Sequence, residues 1–207
     1  FSARLIMSTE TLDLMLALDQ GELDTQIALQ CAPLLTRLKI SNLLTVEKSH
    51  RTAAMRLFRG TSLSPYLLCD SGDKVTFLLY DKKRLPAYLA REDVRRLMER
   101  FGYGRLDLGV ILRQVAERYR AHMHHKTGFP HEIGLLLGYP TADVTGFIEN
   151  SGKNSLYIGY WKVYSDVARC QRVFAGYDQA REKVIRMISR GMDVRNIVKN
   201  QEEAEHE

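Results

Sequence analysis

The feature that most restricts this chain is a single clear β-hairpin in an otherwise helical pattern. Tyr66–Cys69 and Lys74–Tyr80 are β-prone runs joined by Asp70-Ser71-Gly72-Asp73, turn chemistry in the place a hairpin needs it. Ile40–Val46 reads as a further strand, so the hairpin belongs to a small antiparallel sheet. Nearly everything else carries helical spacing. Ser8–Gln20 reads as a helix stopped by Gly21, and Leu23, Ile27, Cys31 and Leu34 define a second, interrupted at Pro33. Ser49–Arg59 reads as a short basic helix, and Leu85–Phe101 as one or two helices closed by Gly102 and Gly104. Asp107–His122 is amphipathic through Leu108, Ile111, Leu112, Val115 and Tyr119. Short helices are predicted near 131–138 and 141–149, a strand over Ser155–Tyr160, and a long helix over Ser165–Arg190 stopped by Gly191. The expected class is therefore α+β: a helix-rich single domain with a small antiparallel β-sheet and a helix-turn-helix-like hairpin.

The 207 residues suffice for one ordinary hydrophobic core. Residues 7–200 read as that single globular domain, residues 1–6 as a remnant ahead of a start at Met7, and residues 201–207 as an acidic disordered tail. No run approaches the roughly 20 apolar residues of a membrane helix, and no secretory leader is expected. The net charge is +5; four of the 25 acids lie in the last seven residues, so residues 1–200 hold +9 against the 30 Lys and Arg. A basic body attracts anionic partners: a small anionic ligand, an acidic protein or nucleic acid. Three scattered cysteines, Cys31, Cys69 and Cys170, form neither a disulfide framework nor a zinc motif. Free buried thiols imply a reducing, cytoplasmic location.

Residues 129–164 carry the most specific pattern: Phe129-Pro130-His131-Glu132-Ile133-Gly134, Leu137-Gly138-Tyr139-Pro140, Asp143-Val144, Gly146-Phe147-Ile148 and Gly159-Tyr160-Trp161-Lys162-Val163-Tyr164. This run resembles the signature of an uncharacterised family of anaerobic bacteria, a domain of unknown function. Cys31-Ala32-Pro33 and Val75–Tyr80 resemble its early part, so the likeness spans most of Gln26–Gly191. The resemblance implies membership and brings no activity, cofactor or catalytic residue with it.

Several arrangements in this stretch bear on chemistry. Ile133–Ile148 scans as a helix-turn-helix, with Gly134 where two helices approach, Gly138 at the turn, and Val144 and Phe147 on the buried face of the second helix. The outward positions would be Thr141, Asp143, Thr145, Glu149 and Asn150. Two carboxylates there repel phosphates, which favours packing over DNA recognition. His122 and His125, at i and i+3, form a possible metal pair, although imidazoles closing a helix also serve its dipole. His131-Glu132 lacks the second His of a zinc-protease motif, Leu135 standing in its place. His131 is either a capping or core residue, or an axial ligand or proton carrier in a pocket walled by aromatics. Gly146…Gly152-Lys153-Asn154 has its glycines one residue too far apart for a P-loop and Asn154 in place of its Ser or Thr, which excludes an NTPase and leaves a looser anion contact by the Gly152 backbone and Lys153. Tyr157, Tyr160, Trp161 and Tyr164 are core residues or the walls of a groove for a planar ligand. Arg91, Arg95, Arg96 and Arg100, interspersed with acids, read as a solvated face or an adaptor surface.

No nucleophile–base arrangement, carboxylate pair or dinucleotide fingerprint stands out, so the question of an enzyme stays open and no reaction is named. The leading expectation is a cytoplasmic binding or accessory protein for a small anionic ligand, with haem or flavin as cofactor candidates. Its ligand-binding residues would be His131, Glu132, Tyr139, Lys153, Tyr160, Trp161 and Tyr164. A helix-turn-helix DNA regulator and a protein–protein adaptor are the alternatives, and no membrane contact is expected.

Overall fold

The computed structural model describes residues 8–104 and 107–204. The expected remnant 1–6, Met7 and the end of the acidic tail, 205–207, lie outside the described residues. Helix α1 (Thr9–Ala17) is capped by Ser8, whose Oγ accepts from Thr11 N at 3.2 Å. Helix α2 (Leu23–Leu35) leads to strand β1 (Ser41–Glu47), a 3₁₀ turn (Lys48–His50) and α3 (Arg51–Leu57). Pro33 lies inside α2 rather than interrupting it. It stands two residues from the helix end, so one backbone bond is forfeited, while Cys31, Ala32, Leu34 and Leu35 around it are buried.

The hairpin forms from β2 (Leu63–Ser71) and β3 (Lys74–Asp81), with Ser71 opposite Lys74, so the turn contracts to Gly72-Asp73. Strand β3 is central: β1 and β2 flank it, both antiparallel. Both sheet faces are covered, as the period-two alternation of β3 requires. Val75, Phe77 and Leu79 face a core completed by α2, Val184 of α9 (Val167–Ser189) and Ile197 of α10 (Val194–Glu203). Leu78 joins a second core. That core is supplied by α4 (Arg84–Leu89), α5 (Glu92–Arg100), α6 (Leu108–Met123) and α7 (Glu132–Leu136). Strand β2 serves both cores by the same alternation, Leu63 and Leu67 on one face and Tyr66 and Leu68 on the other, with a bulge between Leu67 and Cys69. The outcome is a helix-rich α+β domain of three layers, helices on either side of a small antiparallel sheet.

The strand expected over Ser155–Tyr160 becomes a two-residue pair, β4 (Tyr157–Ile158) with β5 (Lys162–Val163). This ribbon packs on α8 (Thr141–Glu149) and the first half of α9. Trp161, Val163, Cys170, Phe174 and Tyr177 form a third, aromatic core there. Helix α10 carries the acidic end through Glu203, where the sequence pattern predicts a solvated tail from 201 onward. It is held because Val194, Ile197 and Val198 are buried, each worth roughly 1.5–3 kcal/mol. Glu202 Oε1 also accepts from Ser62 N at 2.5 Å, tying its acidic end to the start of β2.

Candidate ligand-binding cavity

Where the second and third cores meet, the chain leaves a cavity of about 470 Å³ between α7, α8 and the β4–β5 ribbon. Its walls are mainly apolar: Phe129, Ile133, Tyr139, Val144, Phe147 and Trp161, with Leu43 reaching in from β1. Gly134 lets α7 and α8 approach, since a Cβ there would stand 3.1 Å from Val144 Cγ2. The aromatic wall is layered. Tyr139 stacks on Trp161 at 4.7 Å, and Trp161 meets Phe174 edge-on at 4.5 Å. Gly159 is obligatory in this wall, because a Cβ would lie 2.3 Å from Phe174 Cε2. Burial pushes the Tyr139 phenol up to about 12, so it stays neutral near pH 7.

His131 faces this cavity between Phe129 and Phe147, its ring 5.5 Å from that of Phe147. Among the described residues, nothing hydrogen-bonds its imidazole. Lys162 also lines the cavity and donates to Gly152 O at 2.6 Å. Of the predicted ligand-binding residues, the fold thus brings His131, Tyr139, Tyr160 and Trp161 together. Phe129, Phe147 and Lys162 join them, all within the stretch whose pattern is most specific, whereas Leu43 carries no signal in its own neighbourhood.

The other predicted ligand-binding residues lie elsewhere. Glu132 neighbours His131 but points away, as a step of about 100° around a helix requires. It is buried, and its Oε1 accepts from Tyr103 Oη at 2.9 Å and Arg118 Nη1 at 2.8 Å. This clamp joins α7 to α6 and the 101–103 turn, and burial with the adjacent carboxylate pushes the Tyr103 phenol up. Lys153 is exposed and off the cavity, and no anion-binding loop forms around it. The Gly152 amide is spent on Phe147 O at 2.7 Å and that of Lys153 on Asn150 O at 2.9 Å. Tyr164 packs on α8, where a Cβ on Gly146 would stand 2.5 Å from Tyr164 Cβ. Its hydroxyl is buried without a hydrogen-bond partner among the described residues.

His122 and His125 do not share a helix face. Helix α6 ends at Met123, and His125 turns away in the left-handed region at φ +56°. His122 Nδ1 sits 3.3 Å from Thr127 O and its ring packs edge-on against Phe129. Among the described residues, no three His, Cys, Asp or Glu side chains are grouped to hold a metal.

Asp143 is the largest departure from the expected outward positions. It is 2% exposed and gathers donors from three places. Oδ2 accepts from Trp161 Nε1 at 2.8 Å and from Cys170 Sγ at 3.6 Å. Oδ1 accepts from Tyr164 N at 2.8 Å, Ser165 N at 3.0 Å and Ser165 Oγ at 2.7 Å. This carboxylate pins the ribbon and the start of α9 to α8, and so builds the cavity wall. Burial, reinforced by Asp143, raises the Cys170 thiol to about 11. Helices α7 and α8 form the expected hairpin, but α8 contains no Arg or Lys to offer a duplex. On α5, Arg95 pairs with Glu99 and Arg96 with Glu92, so these arginines are partnered within their own helix.

All three cysteines are free and buried. Among the described residues, no helix is long and apolar enough to cross a membrane. Neither a curated protein nor a solved structure matches the chain. A family model described as protein of unknown function (DUF3793) matches residues 27–198, and the chain, carrying the 129–164 pattern within that span, belongs to this family.

Proposed function

We propose that this protein binds a small ligand with a flat, apolar body and an acidic group, and acts as a binding or accessory protein. One observation carries the reading: a preformed cavity of about 470 Å³ whose apolar walls surround an imidazole with no hydrogen-bond partner among the described residues. That volume lies within the roughly 300–1,000 Å³ typical of small-molecule sites. An unbonded imidazole beside aromatic walls suits a ligand that accepts an axial nitrogen or a hydrogen bond. Haem and the flavin nucleotide FMN each combine a flat ring system with acidic substituents, as this cavity would require. The basic body favours such anions, and three free buried thiols support a cytoplasmic setting.

The experiment is a titration of the purified chain with haemin and with FMN, following ligand absorbance and the emission of Trp161, the sole tryptophan. Saturable quenching with a shift of the ligand's absorbance band is expected, and His131→Ala is expected to weaken it. If neither ligand produces either signal, haem and flavin are excluded. If His131→Ala leaves saturable binding unchanged, the role given to the imidazole is wrong.

A further inference from the structure

A second cavity, of about 220 Å³, adjoins the first and shares Leu43, Leu137, Tyr139 and Tyr160 as a common wall. Its remaining lining, Pro33 apart, is polar: Gln30, Asn42 and two cations, Lys39 and Arg181. Lys39 is only 7% exposed. Its backbone N–H donates to Pro33 O at 2.9 Å, and its ammonium donates to Asn42 Oδ1 at 2.7 Å. The Asn42 amide is oriented in turn by Gln30 O and Leu43 O, each at 2.8 Å.

The groups facing Lys39 are Cys31 from α2, the Tyr139 and Tyr177 rings, Arg181 from α9, and Arg84, whose Nη1 lies 3.4 Å from Lys39 O. Among the described residues, no carboxylate pairs with the ammonium. Arg181 stands over the Tyr160 ring at 5.7 Å, and its Nε is buried with no hydrogen-bond partner among the described residues. The neighbouring acid, Asp178, accepts from Tyr160 Oη at 2.8 Å. Taking the Lys39 ammonium out of water without a counter-charge is costly, and the half-buried Arg181 adds a second positive group to the same small cavity, so an oxyanion there would be favoured.

We propose that the smaller cavity is an oxyanion subsite, in which Lys39 Nζ and Arg181 Nε bind the carboxylate or phosphate head of a ligand whose apolar body fills the larger cavity. The inference rests on the reading of the larger cavity as a ligand site. Burial lowers Lys39 from 10.5 to about 8, so binding that needs its proton weakens as pH rises past that value.

The test compares three probes of equal body, 2-naphthoate, 2-naphthyl phosphate and neutral 2-naphthol, by Trp161 emission at pH 7. At least one anionic probe is expected to bind about tenfold or more tightly than 2-naphthol, and the tighter of the two identifies the head as carboxylate or phosphate. Lys39→Met is expected to abolish that preference by weakening the anionic probe far more than 2-naphthol; Arg181→Gln is expected to reduce it. Equal binding of all three probes by the wild type, or a preference that survives both substitutions, overturns the subsite. If none of the three binds, the larger cavity is not a site for such a body, and inorganic phosphate decides the subsite alone. At matched ionic strength, a larger phosphate-induced rise in melting temperature for wild type than for Lys39→Met supports it, and equal rises overturn it.

Discussion

Lys39→Met is expected to stabilise the fold at neutral pH, although it removes a hydrogen bond. Burial depresses Lys39 from 10.5 to about 8, which places a penalty of roughly 3 kcal/mol on the protonated folded state. Methionine has a similar length and no charge to desolvate, so it removes that penalty. Against this stands the loss of the 2.7 Å bond to Asn42, costing about 1 kcal/mol and leaving Oδ1 unpaired. The net gain at pH 7 is about 2 kcal/mol. Its pH dependence follows from which state holds the proton. The folded chain releases the Lys39 proton near pH 8 and the unfolded chain near 10.5, so between these values the unfolded chain holds more protons. Wild-type stability therefore gains from Lys39 as pH rises through this window, and the advantage of methionine shrinks over the same range. Urea denaturation of both proteins at pH 7, 8, 9 and 10 reads the difference, with other titrating groups cancelling. A variant less stable than wild type at pH 7, or an advantage that does not change with pH, would refute the assignment of Lys39 as a buried cation without a counter-charge.

Other substitutions separate wall-building residues from those that meet a ligand. Asp143→Asn is expected to cost about 3 kcal/mol in urea denaturation, because an amide cannot accept from all of its donors, and to broaden the Trp161 environment in near-ultraviolet circular dichroism. Glu132→Gln is expected to lower stability by about 2 kcal/mol through the weakened Arg118 and Tyr103 bonds while leaving ligand affinity in the cavity unchanged; a large affinity loss at unchanged stability would return Glu132 to the site. Gly159→Ala, which drives a methyl into the Phe174 ring, is expected to cost about 1–3 kcal/mol and to weaken ligand binding by shifting the aromatic wall. Tyr164→Phe deletes a buried hydroxyl without a partner, and thermal melting is expected to show no loss of stability and a gain of up to about 1 kcal/mol.

What the sequence reveals follows the range of the interactions involved. The hairpin was legible because alternation and a Gly-Asp turn are local signals, and α6 and α9 because their apolar stripes run through several turns. Helix α10 escaped because it offers only Val194, Ile197 and Val198 beside a run of acids, and its stability comes from docking on α2 and α9. Pro33 signals an interruption that does not occur, because a breaker near a helix end forfeits little. In the cavity, the aromatic residues and His131 could be singled out because they cluster in one segment. Asp143 could not: its donors at Trp161, Ser165 and Cys170 lie 18, 22 and 27 residues downstream, and nothing local marks a carboxylate as buried. Lys39 is the same case. It sits between Leu38 and Ile40 as any surface lysine might, and distant residues enclose it: Tyr139 beyond α7 and Tyr177 on α9.

The most direct measurement uses the single indole of the chain. In a proton–nitrogen correlation spectrum the Trp161 Nε1–H, held by Asp143, gives one resolved signal. Titration with 2-naphthoate is predicted to move that signal saturably, together with the His131 imidazole, while α10 amides stay in place. An indole signal that remains stationary at saturating ligand would contradict the placement of a ligand between α7, α8 and the β4–β5 ribbon.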